Sequence, residues 1–376
     1  MCLMSGCVTI GGLKVQQQSD EEPVVLKPWA AIFSGLDPTG GGIPVSGRLA
    51  WAALSELGTP HLVCYGPTGD ISDLPGATRR IVGMNRGPLA ARLLIRRWDC
   101  SGILFWHIGL LKLLPVLRGF RGRVVVFLHG IEAWRPPGRL TRRLLGRVDL
   151  FLSNSDYTWQ RFLEFVPEVS GREHRTVPLG WGDPINGSPL PPSSTPSAVI
   201  IGRLAKAEDY KGHRELILTW PRVVERIPGA ILEVIGDGDL RPELERLTAD
   251  LQLSAHVRYH GRVSEGRKAE LLSAARCLAM PSRGEGFGLV YLEAMRLGRP
   301  CLVSNSDAGR EVVNPPEGGL AVDVGNTVAL ADAIVRLLTG GEEWQRWSAA
   351  ARRRYEAQFT AMYFQERLRA AVTGGS

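Results

Sequence analysis

GEGFGLVYLEAM, residues 284–295, is the stretch that decides how the 376-residue chain is read. Seven residues separate two carboxylates, Glu285 in a glycine-rich loop and Glu293 in a segment that reads as a helix. Leu289, Val290, Leu292, Ala294 and Met295 make that helix apolar almost all round, which marks it as buried. Glu293 is then a carboxylate taken largely out of water, and it needs a donor beside it. The loop Gly284-Glu285-Gly286-Phe287-Gly288 lets backbone approach a ligand closely, and its N–H groups at a helix start favour anions. A molecule carrying both phosphate and vicinal hydroxyls fits these two features.

Outward from this stretch the chain alternates apolar strands with helical patterns. Residues 1–26 read as a mobile tail. From Trp29 a strand runs into Gly40-Gly41-Gly42 and a helical pattern from Val45 to Leu57, the opening of a βαβ unit. Further strands are expected at 61–65, 102–106, 124–128 and 149–153. A Pro-, Gly- and Ser-rich connection between Val177 and Ala198 then separates two halves. The alternation restarts with strands at 198–202, 230–236, 256–260, 276–282 and 301–304, and helices at 214–226, 239–251 and 264–275. Terminal helices follow Leu338. The expected organisation is a first domain over 27–190, a second over 191–355 and a C-terminal helix over 356–376. Each domain is α/β with a parallel sheet between helical layers.

Hydrophobic content of 44% and charged content of 22% belong to a folded globular protein rather than a disordered or disulfide-scaffold chain. No apolar run is long enough to span a bilayer, and the first residues lack the basic start and apolar centre of a secretory signal. Cys2, Cys7, Cys64, Cys100, Cys277 and Cys301 form no C-x-x-C pair, so free thiols in a reducing cytoplasm are expected. The net charge of +7 is concentrated in residues 1–190, which hold 21 lysines and arginines against 15 aspartates and glutamates. Arg79, Arg80, Arg86, Arg92, Arg96 and Arg97 form one cluster; Arg135, Arg139, Arg142, Arg143 and Arg147 form another. A solvated helix face explains such clusters. So does an anionic lipid surface, here the inner face of the plasma membrane, because Leu89, Leu93, Leu94 and Trp98 interleave with the arginines as on an interfacial helix. No nucleic-acid motif accompanies the charge, and nucleic acid is not expected as a partner.

Three further positions bear on chemistry. Arg203 follows the strand ending at Gly202, and Lys211 lies eight residues on; two cations at a strand end suit a diphosphate, although Lys206, Glu208 and Asp209 make a solvated surface pair an equal alternative. His129 ends the 124–128 strand where α/β proteins place ligands, and a structural histidine reads as well there. His107 ends the preceding strand in the same manner.

Taken together, GRLAKAEDYKGH (202–213), VIGDG (234–238), HGRV (260–263) and GEGFGLVYLEAMRLGRPCLVS (284–304) resemble the retaining GT-B glycosyltransferases, the glycosyl transferases group 1 family. The triple glycine at 40–42 and His129-Gly130 look like the corresponding elements of the first half. The resemblance implies two Rossmann-like parallel-sheet domains facing a cleft, with C-terminal helices returning to the first. It implies hexose transfer from a UDP- or GDP-linked donor to a glycan or lipid-linked acceptor, with no cofactor and no metal. Residue by residue, Glu293 would take the ribose hydroxyls, Glu285 the donor hexose, and backbone of Gly286, Phe287, Gly288 and Leu289 the sugar and distal phosphate. Arg203 and Lys211 would stabilise the departing diphosphate, Val263 would meet the base, and Gly41, Gly42 and His129 would face the donor from across the cleft. Sugar-nucleotide epimerases and phosphorylases share the architecture, and a non-catalytic donor-binding subunit is a third class.

Overall fold

The computed structural model describes residues 27–58, 60–77 and 79–374. The tail expected over 1–26, with Cys2 and Cys7, lies outside the described residues.

The first half builds β1 (Trp29–Phe33), α1 (Gly42–Ser55), β2 (His61–Cys64), β3 (Arg79–Val82), α2 (Arg86–Leu94), β4 (Gly102–Phe105), β5 (Arg123–Leu128), α3 (Arg139–Leu145), β6 (Leu150–Ser153), α4 (Asp156–Leu163) and β7 (Glu173–Thr176). The second half builds β8 (Ser197–Ile201), α5 (His213–Arg226), β9 (Ile231–Ile235), α6 (Arg241–Asp250), β10 (Val257–Gly261), α7 (Glu265–Ala274), β11 (Cys277–Met280), α8 (Leu289–Arg296), β12 (Cys301–Ser304), α9 (Gly309–Val313) and β13 (Gly319–Val322). Three helices close the chain: α10 (Thr327–Thr339), α11 (Gly341–Gln358) and α12 (Ala361–Thr373).

Among the described residues the strands form two all-parallel sheets, ordered β3-β2-β1-β4-β5-β6-β7 and β10-β9-β8-β11-β12-β13. Strand order reverses between β1 and β4 in one sheet and between β8 and β11 in the other. At such points the connections leave in opposite directions and open a crevice at the carboxyl ends of the strands. The glycine loop before α1 follows β1, Arg203 follows β8, and the Gly284–Gly288 loop follows β11, so all three lie at these reversals. This is the GT-B architecture.

The central strands β1, β4, β6, β8, β9, β11 and β12 are buried along their whole length. That is why they read as continuous apolar runs. The strands not anticipated, β3, β7 and β13, are all at sheet edges, with sequences RRIV, EHRT and GLAV. An edge strand is covered on fewer sides, and its composition carries little signal. α1 begins at Gly42 rather than Val45, because Gly41 at φ 97° supplies the helix-start turn and Pro44 fits the first turn.

The interfacial-helix motif inferred for α2 needs correction. Leu89, Leu93 and Trp98 are buried against the first sheet, and the Trp98 indole donates to Leu93 O at 3.0 Å. A sheet face must be covered, and these side chains cover it. The apolar residues left in water at this edge are Met84, Leu94 and Ile95, the last 75% exposed. Several arginines of the clusters bind local carbonyls, Arg92 to Val82 O at 3.1 Å and Arg79 to Arg97 O at 3.3 Å. Among the described residues, no helix is long and apolar enough to cross a membrane. Cys64, Cys100, Cys277 and Cys301 are free and buried, and burial pushes the Cys64 thiol up to about 12.

α11 lies against α8, and the chain then crosses back so that α12 packs on α1. The crossing is held by backbone: Trp181 N–H donates to Phe359 O at 3.0 Å and Ala361 N–H to Gly182 O at 2.9 Å. Arg369 of α12 pairs with Glu56 beyond α1 at 2.6 Å. Gly180 sits in the tightest part, where a Cβ would stand 2.2 Å from Thr360 O and 2.8 Å from Phe364 Cβ. Gly180→Ala is expected to force the crossing apart and cost about 1–3 kcal/mol; urea denaturation of the two proteins checks it, and an unchanged midpoint contradicts it.

Candidate active site

In the second domain, the loop after β8 and the loop after β11 are fitted to each other through glycines. Gly212, at φ 92°, lies against Pro281 O, 2.7 Å from where a Cβ would be. The Tyr210 ring covers Gly284, and Arg283 N–H donates to Tyr210 O at 2.9 Å. This packing delivers Lys211 to Glu285, with Nζ 3.4 Å from Oε1, and the same ammonium lies 3.4 Å from Glu208 Oε2. Arg203 pairs with the other oxygen of Glu208 while its side chain stays 76% exposed. The two cations expected to meet a diphosphate therefore share one carboxylate, Glu208. An incoming dianion can take both from it.

The Glu285 loop is anchored from behind by Asp307. Its carboxylate accepts from Glu285 N–H at 3.1 Å and from Gly309 N–H at 2.9 Å, and burial pushes it up to about 7. Gly288, at φ 83°, is the residue before α8 and offers no side-chain cap. The first N–H groups of α8 are therefore available to an anion. Across the cleft α1 also starts without a side-chain cap, and Gly42 touches the head of α8, its Cβ position 3.4 Å from Leu289 Cδ1. Two uncapped helix starts thus converge on one region of the cleft.

Glu293 lies on α8 and is 8% exposed. Its partner is Lys268 of α7, whose Nζ is 2.7 Å from Glu293 Oε2 and 2.8 Å from Glu265 Oε2. Burial raises the Glu293 carboxyl above the usual range, and the Lys268 ammonium opposes that rise. Nothing near Lys268 in sequence announces the pairing, because α7 and α8 are brought together only by packing on the sheet. The one local signal was Ser264, which caps α7 by accepting from Arg267 N–H at 3.2 Å and so sets which residue reaches inward.

His129 ends β5 as expected, but its ring is held. Nε2 lies 2.7 Å from Trp106 O and so donates to it, and the ring packs between Trp106 and Phe127 with centroids 4.8 Å from each. Burial pushes its pKa down to about 4, so it is neutral, with Nδ1 as the lone-pair nitrogen. His129 O faces Gly286, where a Cβ would come within 2.1 Å of it. His107 Nδ1 accepts from Gly109 N–H at 2.9 Å and caps a short helical turn. Val263 follows β10 and is half-buried against the core, farther along the sheet from the β8–β11 reversal. The structure thus brings Arg203, Lys211 and Glu285 together through Glu208 and sets Gly286, Phe287, Gly288 and Leu289 on the same loop, with Glu293 on α8 tied to Lys268; Gly42 and the His129 carbonyl approach this loop from the first domain, where Gly41 precedes α1.

Comparison with known proteins agrees with this fold. The family model described as Glycosyl transferases group 1 matches residues 188–354. A GDP-mannose-dependent monoacylated alpha-(1-6)-phosphatidylinositol monomannoside mannosyltransferase of Corynebacterium glutamicum is 30% identical over 267 residues, covering 65% of this chain and 68% of that protein. A GDP-mannose-dependent alpha-(1-6)-phosphatidylinositol monomannoside mannosyltransferase of Mycobacterium tuberculosis is 29% identical over 291 residues, covering 71% and 74%. Anabaena HepE in complex with UDP-glucose superposes with a TM-score of 0.73 at 18% identity, over 93% of this chain and 100% of that one. Sucrose-phosphate synthase from Thermosynechococcus elongatus does so with 0.71 at 21%, over 93% and 98%.

The Glu293–Lys268 pair makes a prediction of its own. Lys268→Met leaves a buried carboxylate without its cation, a loss of about 3–5 kcal/mol where Glu293 is ionised. A carboxyl whose folded pKa is raised stabilises the fold at low pH and loses that contribution as pH rises through the folded value. The variant should therefore fall further below the parent at pH 8 than at pH 5. Urea denaturation at the two pH values measures the difference, and an equal deficit at both contradicts the pairing.

Proposed function

The chain belongs to the glycosyl transferases group 1 family, and from that premise we propose that it transfers a hexose from a nucleoside diphosphate sugar to a lipid-linked acceptor, building a surface glycolipid or polysaccharide. The observation that carries the reading is the Lys211–Glu285 contact beside the uncapped start of α8, with Arg203 sharing the same acidic neighbour. Those groups supply positive charge where a diphosphate would depart, and hydrogen-bond acceptors where a sugar would lie.

On this reading Arg203 and Lys211 draw away from Glu208 and, with the α8 N–H groups, receive the diphosphate. Glu293 accepts from the ribose hydroxyls, its ionised form kept available by Lys268. Glu285 orients the hexose, Val263 meets the base, and Gly41, Gly42 and the neutral His129 close over the donor. The sugar's bond to the phosphate oxygen breaks with its electron pair going to phosphate. The acceptor oxygen bonds to the same carbon from the same face, and its proton passes to the leaving phosphate. Configuration is retained, and cationic side chains with a helix start stand where a divalent ion would otherwise serve.

GDP-mannose is the first donor to test, since both mannosyltransferase relatives use it. The purified chain, a panel of GDP- and UDP-hexoses and lipid-linked acceptors, with products identified by mass, give the assay. Lys211→Ala is expected to lower kcat by about 100-fold or more. Full turnover in that variant contradicts the site, and donor conversion without acceptor points to epimerisation instead.

A lipid acceptor calls for approach to a membrane. Met84, Leu94 and Ile95 stand exposed beside exposed Arg92, Arg96 and Arg97, a surface suited to the anionic inner face of the plasma membrane. Replacing Arg96 and Arg97 by Ala should weaken co-sedimentation with anionic vesicles by roughly thirtyfold at low salt, at about 1 kcal/mol per basic residue. Equal pelleting of parent and variant, or no salt dependence, removes this contact.

A further inference from the structure

α4 is an eight-residue helix of the first domain whose start is completed by the second. The opening N–H groups of any helix lack intrahelical partners. Here Glu311, carried on α9, accepts from Asp156 N–H at 2.9 Å and Tyr157 N–H at 2.7 Å. A carboxylate at a helix start also meets the favourable end of its dipole. Ser155 caps the helix in the ordinary way, its hydroxyl accepting from Thr158 N–H at 3.1 Å, but it sends its own proton across the cleft to Gly286 O at 2.8 Å. The Thr158 hydroxyl donates to the same carbonyl at 3.2 Å, and the Tyr157 hydroxyl to Ser306 O at 2.7 Å. Ser155 and Thr158 are buried.

These contacts converge on the loop that carries Glu285. Gly286 O is held from the first domain, while Glu285 N–H is held by Asp307 and Glu285 O accepts from Ala308 N–H at 3.2 Å. Asp307 and Ala308 lie on the connection from β12 to α9, and Glu311 lies on α9 itself. One short segment thus fixes the back of the loop and reaches across to α4. If the domains part, Asp156, Tyr157 and Gly286 lose their partners together.

We propose that Glu311, Ser155 and Tyr157 form a latch across the cleft that positions the Gly284–Gly288 loop, so that domain closure and the reactive shape of this loop are one event. The latch rests on the reading that the loop holds the donor. It acts through the loop and touches neither sugar nor phosphate, so its loss should appear in turnover more than in nucleotide binding, whose groups sit in the second domain.

Two measurements test it. Small-angle X-ray scattering of the ligand-free chain is expected to match the latched structure, and Glu311→Ala to give a larger radius of gyration. Kinetics should show kcat falling by roughly tenfold or more in Glu311→Ala, with the dissociation constant for GDP or UDP alone changed by less than about threefold, and Glu311→Gln, which keeps an acceptor oxygen, recovering part of the loss. Should Glu311→Ala not fold, Tyr157→Phe, which removes only the bond to Ser306 O, must show the same direction more weakly. Unchanged scattering and unchanged kcat in the folding variants overturn the latch, as does a parent chain as expanded as Glu311→Ala with and without nucleotide. The scattering arm needs no substrate, so a failure of the transfer reading leaves it standing and separately readable.

Discussion

Two stretches of backbone meet at Gly130 and Gly286 with no room for a side chain between them. A Cβ on Gly286 would enter His129 O, and one on Gly130 would stand 3.0 Å from Gly286 Cα. The first contact comes from the end of β5 and the second from the loop after β11, so this approach sets how far the sheets can close. The arrangement around it follows. Ser155 and Thr158 reach Gly286 O only because the backbones are this close, and Gly42 meets Leu289 for the same reason.

Around that contact the charges are arranged in pairs that a ligand can exchange. Glu208 lies between Arg203 and Lys211, and Glu293 lies on Lys268. A carboxylate as buried as Glu293 is tolerable because a cation stands at 2.7 Å. The exposed guanidinium of Arg203 can leave Glu208 at little cost, since pairs open to water are weakly bound. Lys211, largely enclosed, is already aimed at the loop. The second domain thus sets cations, carboxylates and the open start of α8 around one loop, and the first contributes the open start of α1, a buried imidazole and the α4 contacts to Glu311.

The C-terminal helices tie these parts into one body. α11 supports α8, which carries Glu293, and α12 returns to α1, which begins at the glycine loop. Phe287 of the site loop packs edge-on against Phe359 at the crossing, with ring centroids 6.0 Å apart. The crossing, the loop and the cleft therefore share one packing region, and Gly180 is small because a helix must pass over it.

Sequence by itself determined the two parallel sheets, the connection between them and the place of the 284–295 stretch, because central strands buried on both faces must be apolar along their length and glycine loops mark their ends. It also singled out Arg203, Lys211, Glu285 and Glu293, whose residue types and spacing limit the chemistry they can do. The edge strands β3, β7 and β13 were not legible, since a half-covered strand tolerates RRIV or EHRT. Tertiary structure alone decided that Lys268 is the cation for Glu293, that Glu208 is shared between two cations, and that Leu89, Leu93 and Trp98 cover a sheet instead of facing lipid. It alone decided that His129 meets the second domain through its carbonyl and that Glu311 completes α4. Apart from Glu208, whose two cations are near neighbours brought round by the turn of their own loop, each of these joins residues far apart in the chain, and such distances are set by how helices pack on sheets and how two domains close, which no local pattern of side chains records.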